Sequence, residues 1–341
     1  MVHHPQVFPS RDRLYRGSHL DALDYAIYQH LSPDGLARFW ASRRLTDPRV
    51  TAREIAGKVG LSEAGVRSRL RRLRENGLLQ GSEVGLNPSL FGATTMMLEV
   101  PVRSPQESDR VFHDLPLVDG VLFARDILDE EDRKVQVYYV SDTLPATARR
   151  TSLLRRLAPG GTARGPTPYW IPTCLRVPTP LDWRLLAAFR RDPDATVARF
   201  ASSAGLSLKT TSRRFDLLVD ARACWWSPNR DSQEWPLALL YLSLRPDAEV
   251  SSVAAEVARS VGRWISVAPD GLGIDPGVQG PPLAGLVPAD RPAALEIILR
   301  RILDVDGILA VRRTFGLRSA TYPQWADGQL SVKVPPSAAR R

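Results

Sequence analysis

Two neighbouring segments carry apolar residues at helical spacing, Ile55, Ala56 and Val59 in one and Val66, Leu70 and Leu73 in the other, with Gly60-Leu61-Ser62 between them. Gly60 supplies the backbone freedom for a sharp turn, Leu61 fills the angle between the helices, and Ser62 is placed to cap the second one. With Val66, Leu70 and Leu73 turned inward, that helix, Ser62 to Asn76, keeps Glu63, Ala64, Arg67, Ser68 and Arg71 on its open face, flanked by Arg69, Arg72 and Arg74. The pattern predicts a helix-turn-helix whose small residues enter a major groove and whose arginines reach guanine edges or phosphates. Upstream, Leu20, Leu23, Ile27 and Leu31 form the stripe of a first helix. Ser32 to Gly35 ends it, and Leu36 to Leu45, with Phe39 and Trp40, reads as an additional short helix.

Beyond Asn87 the period changes. Thr94 to Val102 reads as a strand, Pro105 to Val118 as a helix, Val121 to Leu128 and Lys134 to Ser141 as two strands, Leu144 to Leu157 as a helix, and Tyr169 to Leu175 as a last strand. That β-α-β-β-α-β order is ferredoxin-like. The turn between the middle strands collects Asp126, Asp129, Glu130, Glu131 and Asp132, expected as a solvated hairpin tip that avoids DNA. Pro166, Pro168, Pro172, Pro178 and Pro180 then mark a stiff boundary.

After the prolines the pattern starts again. Leu181-Asp182-Trp183 repeats the opening of the first helix, and Thr196 to Leu218 aligns without gaps on Thr51 to Leu73. Leu237 to Leu244, Val250 to Val261, Trp264 to Ala268, Pro282 to Val287, Ala293 to Leu303 and Leu309 to Ala320 give a second β-α-β-β-α-β order. The expected fold class is therefore α+β: two helix-turn-helix, winged-helix-like domains (1–92 and 178–230), each followed by a ferredoxin-like domain (93–177 and 231–325), with a disordered tail over 326–341. The glycine-rich stretch from Pro269 to Pro281 lacks the strand-to-helix setting and the Lys-Ser/Thr ending of a phosphate loop.

Charge sharpens this picture. A formal net charge of +9 favours an anionic partner, and arginine supplies nearly all of the cations, since Lys58, Lys134, Lys209 and Lys333 are the only lysines. The positive excess gathers between Arg43 and Arg74 around the helix-turn-helix, which favours nucleic acid over a merely solvated basic face. Residues expected to hold DNA are Ser62, Arg67, Ser68, Arg69, Arg71, Arg72 and Arg74, and in the second copy Lys209, Thr210, Ser212, Arg213 and Arg214. There Asp216 stands where the first copy has Arg71, so the second helix is expected to bind more weakly or to read a different half-site. Cys174 and Cys224, the only cysteines, lie far apart without companion ligands, and neither a disulfide, a metal nor a cofactor is expected. No run approaches the ~20 apolar residues of a membrane span, and the chain reads as cytoplasmic with no membrane partner.

The ordered set Leu61, Ser62, Arg69, Arg71, Arg72, Leu73, Gly77, Asn87, Pro88 and Gly92 resembles the Lrp/AsnC (leucine-responsive, feast/famine) transcriptional regulators. The resemblance implies double-stranded DNA as partner, a small amino-acid-like effector held between modules, pairing of the two α/β modules within the chain, and homo-oligomers. Neither module has the family's Gly-x-x-Asp hairpin element, and no effector residue is assigned. Two rival readings accompany it. The sirohaem decarboxylases resemble the same family in both domains and use histidine and arginine near the first sheet, whereas the modules here hold the single histidine His113. The other is a protein-interaction module with a vestigial DNA fold. The preferred reading is a sequence-specific regulator and not an enzyme.

Overall fold

The computed structural model describes residues 23–24, 27, 51–129, 132–158, 162–169, 171, 173–230, 237–261, 266–268, 283–288 and 292–334. The short helix expected over Leu36 to Leu45 and the stretch from Pro269 to Pro281 lie outside them. The first head contains α1 (Ala52–Val59), α2 (Glu63–Glu75) and the strand β1 (Leu79–Leu86). Thr51 and Glu54 cap α1 reciprocally, the Thr51 hydroxyl accepting from the Glu54 amide and the Glu54 carboxylate accepting from the Thr51 amide at 2.7 Å. Gly60 ends it with φ 69°, a conformation that a side chain at this turn would strain. Ile27, Ile55, Val59, Val66, Leu70, Leu73, Leu78 and Leu79 form a small core that belongs to this head alone.

A 3-10 turn, Pro88–Phe91, leads to the first module: β2 (Thr94–Pro101), α3 (Pro105–Asp114), β3 (Val121–Leu128), β4 (Arg133–Ser141), α4 (Leu144–Leu157) and β5 (Arg164–Tyr169). The second head follows as α5 (Pro180–Arg191), α6 (Val197–Ala204), α7 (Leu208–Asp220) and β6 (Cys224–Arg230). The second module is β7 (Leu237–Leu244), α8 (Val250–Val261), β8 (Ser266–Ala268), β9 (Leu283–Pro288), α9 (Pro292–Leu303) and β10 (Ile308–Thr321). Both modules thus have the βαββαβ order, each with its own apolar core between sheet and helices. The last strand of the first module lies earlier than Tyr169 to Leu175. Its prolines look like breakers, but β5 is an edge strand, where a missing N–H leaves no ladder bond unmade.

The modules do not sit apart. One eight-stranded sheet runs β5-β2-β4-β3-β10-β7-β9-β8. Its seam is β10, which pairs with β7 from Ile308 to Gly316 and with β3 from Phe315 to Thr321. The first half of β10 thus serves the second module and its other half the first, so the two modules share one long strand.

The heads are joined by a second, two-stranded sheet in which β1 and β6 run antiparallel. Ser82 pairs with Pro228 and Glu83 with Ser227, and Ser227 and Pro228 are the repeat counterparts of Ser82 and Glu83. Such reciprocal pairing is the mark of an approximate two-fold axis between the heads. Gly85 is required at this ribbon, because a Cβ there would lie 2.1 Å from the Trp225 ring.

Two sequence expectations are corrected. The residues from 326 onward do not begin a disordered tail: Gln324–Lys333 is a helix, α10, that buries Trp325, Ala326 and Leu330 against the second head. Trp325 and Leu330 fall one face apart from the polar positions of a segment too short and too mixed to signal its own burial. Nor are Asp126, Asp129 and Asp132 part of a solvated tip; Glu130 and Glu131 lie outside the described residues. Asp126 is buried and accepts from Arg133 Nε at 3.0 Å, and Lys134 lies 2.7 Å from Asp129 and 3.4 Å from Asp132.

Candidate nucleic-acid interface

Ser62 accepts a hydrogen bond from the Gly65 amide at 3.1 Å and so starts α2 as expected. Val66, Leu70 and Leu73 are buried, which fixes the helix rotation about its axis. Ser62, Arg67, Ser68, Arg71, Arg72 and Arg74 are exposed. Four of them are arginines, and Arg53 and Lys58 of α1 are exposed as well. Arg67 is ion-paired to Glu63 one turn earlier but remains 67% exposed, a pair worth little in water.

Arg69 and Arg72 differ from their neighbours. Nη1 of Arg69 lies 2.9 Å from Oδ1 of Asp24, a fully buried carboxylate on the first helix, and Arg72, though 47% exposed, reaches the other oxygen of the same group. The second head repeats the device: Arg214 Nη1 lies 3.2 Å from Oδ1 of the fully buried Asp182, which Arg176 also contacts at 3.1 Å. A carboxylate out of water needs such partners, and losing them is costly. Arg69 with Arg72 in the first head, and Arg214 in the second, therefore tie each recognition helix to the helix behind it. Sequence reasoning missed Asp24 and Asp182; the signal was the Leu-Asp pair, Leu23-Asp24 and Leu181-Asp182, recurring on both first helices.

Along α7, Lys209 and Arg213 are exposed, whereas Thr210 and Ser212 are half-buried. Ser207 caps the helix by accepting from the Thr210 amide at 3.1 Å, with its hydroxyl 2.9 Å from that of Thr210. Ser212, Asp216, Leu217 and Val219 occupy the repeat positions of Arg67, Arg71, Arg72 and Arg74. The second face is thus shorter in cations, and Val219 points into the core.

The core of that head accounts for the exchange at Val219. Phe189, Phe200 and Phe215 stack edge to face, with centroids 4.7 and 5.5 Å from Phe189. Around them gather Val84 and Leu86 of the ribbon, Trp183, and Trp325 and Leu330 of α10. Arg190 donates to the Val84 carbonyl and pairs with Asp327 at 2.7 Å. Asn87, fully buried, donates from Nδ2 to the Arg222 carbonyl at 2.8 Å, so the linker after the first head is bonded to the second. Cys174 and Cys224, remote in sequence, both pack in this cluster, where burial pushes both thiols up and favours their uncharged forms. Among the described residues no group of His, Cys, Asp and Glu is placed to hold a metal, and no helix is long and apolar enough to cross a membrane.

Comparison with known proteins agrees on the first head. The family description "Winged helix-turn-helix DNA-binding" matches residues 45–80. The HTH-type transcriptional regulator LrpA of Mycobacterium tuberculosis (strain ATCC 25618 / H37Rv) is 37% identical over 59 residues, 17% of this chain and 39% of that protein. The chain therefore spans well under half the length of this curated relative. Among solved structures, the leucine response regulatory protein LrpA of Mycobacterium tuberculosis is 24% identical with a TM-score of 0.27, covering 41% of this chain and 86% of that one. The siroheme decarboxylase NirDL is 11% identical with a TM-score of 0.48, covering 91% of this chain and 99% of that one.

Proposed function

We propose that this chain, which resembles the Lrp/AsnC transcriptional regulators through its first winged helix-turn-helix, is a cytoplasmic, sequence-specific DNA-binding regulator that reads an asymmetric site with two unlike heads. The observation that carries the proposal is the face of α2, where Arg67, Arg71, Arg72 and Arg74 stand exposed around small residues while the opposite face is buried. In this reading α2 enters the major groove, with Ser62 and Ser68 allowing close approach, and Arg67 and Arg71 contact base edges. Arg74 lies on a phosphate, Arg72 adds a phosphate contact from its pair with Asp24, and Arg69 and Arg72 together orient the helix through that carboxylate. Lys209, Thr210, Ser212 and Arg213 make a weaker second set of contacts, with Arg214 holding α7 as Arg69 holds α2. Because the β1–β6 ribbon fixes one head to the other, a single chain presents both readers, and its two modules, joined by β10, take the place of a dimer's paired modules. An effector acting on the modules and further association of chains complete the proposal.

Selection of genomic DNA fragments by the purified full-length chain tests it. An enriched, non-palindromic motif whose affinity falls steeply with salt is the expected result. Uniform recovery of all fragments, or binding insensitive to salt, would remove the regulator reading.

A further inference from the structure

The last strand of the shared sheet continues out of it. β10 passes at Thr321 into α10, and the residues of this junction each hold a different part of the molecule. The Thr321 hydroxyl donates to the Glu83 carboxylate of the ribbon at 2.8 Å. The Tyr322 amide donates to the Leu122 carbonyl at 2.9 Å, and the Tyr322 ring is buried in the core of the first module. Trp325 meets Phe91, in the 3-10 turn after the first head, edge to face at 5.4 Å and sits in the core of the second head. Asp327 accepts from Nε and Nη2 of Arg190 on α5 at 2.9 and 2.7 Å. Sheet, ribbon, linker and second head are thus all gripped by one short helix and the turn that leads to it.

Arg190 is the point where these holds meet the first head. Its side chain is 14% exposed, and while Nε and Nη2 face Asp327, Nη1 donates to the carbonyl of Val84 on β1. One guanidinium on the second head therefore joins α10 to the strand that carries the first head. The ion pair alone is worth little, since Asp327 is 52% exposed. What an arginine adds is direction: its donors lie in one plane at fixed angles, so a carboxylate and a carbonyl are held together at a set separation. Among the described residues the device occurs once. Aligning Leu23-Asp24 with Leu181-Asp182 puts Ser32 where Arg190 stands, and β5, the last strand of the first module, leads into the segment before α5 rather than into a helix like α10.

We propose that α10 is a strap that fixes the pair of heads on the sheet, with Arg190 as the positioning residue, so that the modules set the spacing of the two recognition helices. Among the described residues the core of the first head contains none beyond Leu79, so its place follows that of β1. β10 is at once the strand common to both modules and the root of the strap, so a shift at the β3–β10 seam reaches the heads through α10. The effect on spacing rests on the regulator reading, with two heads on one DNA, whereas the attachment of heads to sheet does not.

Two measurements on the full-length chain test this, one with DNA and one without. Spin labels on non-natural residues at the positions of Lys58 and Arg110, exposed on α1 and α3, report the distance between the first head and the first module. Selection from a library that holds both half-sites constant and varies the base pairs between them reports the preferred spacing. For the wild type a single narrow distance and one preferred spacing are expected. Arg190→Met is expected to broaden the distance and to lower the preference for the best spacing over its neighbours by about tenfold, with affinity for an isolated first half-site unchanged. Arg190→Lys keeps a charge for Asp327 but has no fork to reach Val84 as well, so it recovers melting temperature over Arg190→Met without recovering the spacing preference. A mere packing role for this contact would move melting temperature alone. An unbroadened distance in both variants overturns the strap, as does a spacing preference fully restored by lysine. If the wild type shows no preferred spacing but Arg190→Met broadens the distance, the strap stands and the two-headed reader falls. A preferred spacing unchanged in both variants, with an unbroadened distance, leaves the reader standing without the strap.

Discussion

The first recognition helix buries Val66, Leu70 and Leu73 and turns Arg67, Arg71, Arg72 and Arg74 outward; the second buries Thr211, Phe215, Leu218 and Val219 and exposes Lys209, Arg213 and Leu217. Both helices start from a serine cap and both are tied to the helix behind by an arginine on a buried aspartate. What differs is the company each keeps. The first head has a core of its own, whereas the second shares a core with the ribbon, the linker and α10. One scaffold thus carries two different outer faces: arginines in the first head, and Ser212, Asp216, Leu217 and the buried Val219 at the same positions in the second. In the proposed reading the first head makes the stronger DNA contacts and the second the weaker ones.

That contrast can be broken most directly at the DNA. Arg67→Ala combined with Arg71→Ala is expected to cost about 2–6 kcal/mol at the preferred site, read by fluorescence anisotropy at fixed salt. Trp325→Ala is expected to cost about 3–5 kcal/mol of stability, because it empties a core position, and hydrogen exchange should place the loss in α5 to α7 rather than in α1 and α2. Trp325→Phe should be close to neutral, since the indole N–H is buried without a partner. Asp182→Ala and Asp24→Ala should each destabilise by about 3 kcal/mol, since each is a buried carboxylate serving two arginines, Asp182 also accepting from the Thr179 amide at 2.9 Å. Gly85→Ala is the smallest change and is expected to cost about 1–3 kcal/mol by displacing Trp225 from the ribbon. Its informative readout is altered spacing between the two protected half-sites, since the ribbon sets the distance between heads.

Much of this was legible along the chain. The turn at Gly60, the cap at Ser62 and the inward stripe of α2 are local features, and local rules found them. The repeat disclosed the second head and the second module because periodicity survives without any contact being known. The rest depends on residues distant in sequence. That β10 is long enough to join two modules, or that Trp325 docks beside Phe91 with centroids 5.4 Å apart, has no local signature. Arg69 looked like its neighbours on the helix surface, since spacing cannot tell an arginine over solvent from one over Asp24.

The central claim is that the first head reads DNA and the second anchors it. A footprint on the best selected fragment tests this, comparing the wild type with two paired variants, Arg67→Ala with Arg71→Ala and Lys209→Ala with Arg213→Ala. The account predicts two protected segments for the wild type, loss of sequence-specific protection in the first variant, and in the second a retained primary segment with only its neighbour weakened. Equal loss in both variants, or a primary segment that survives the first and vanishes in the second, would contradict it.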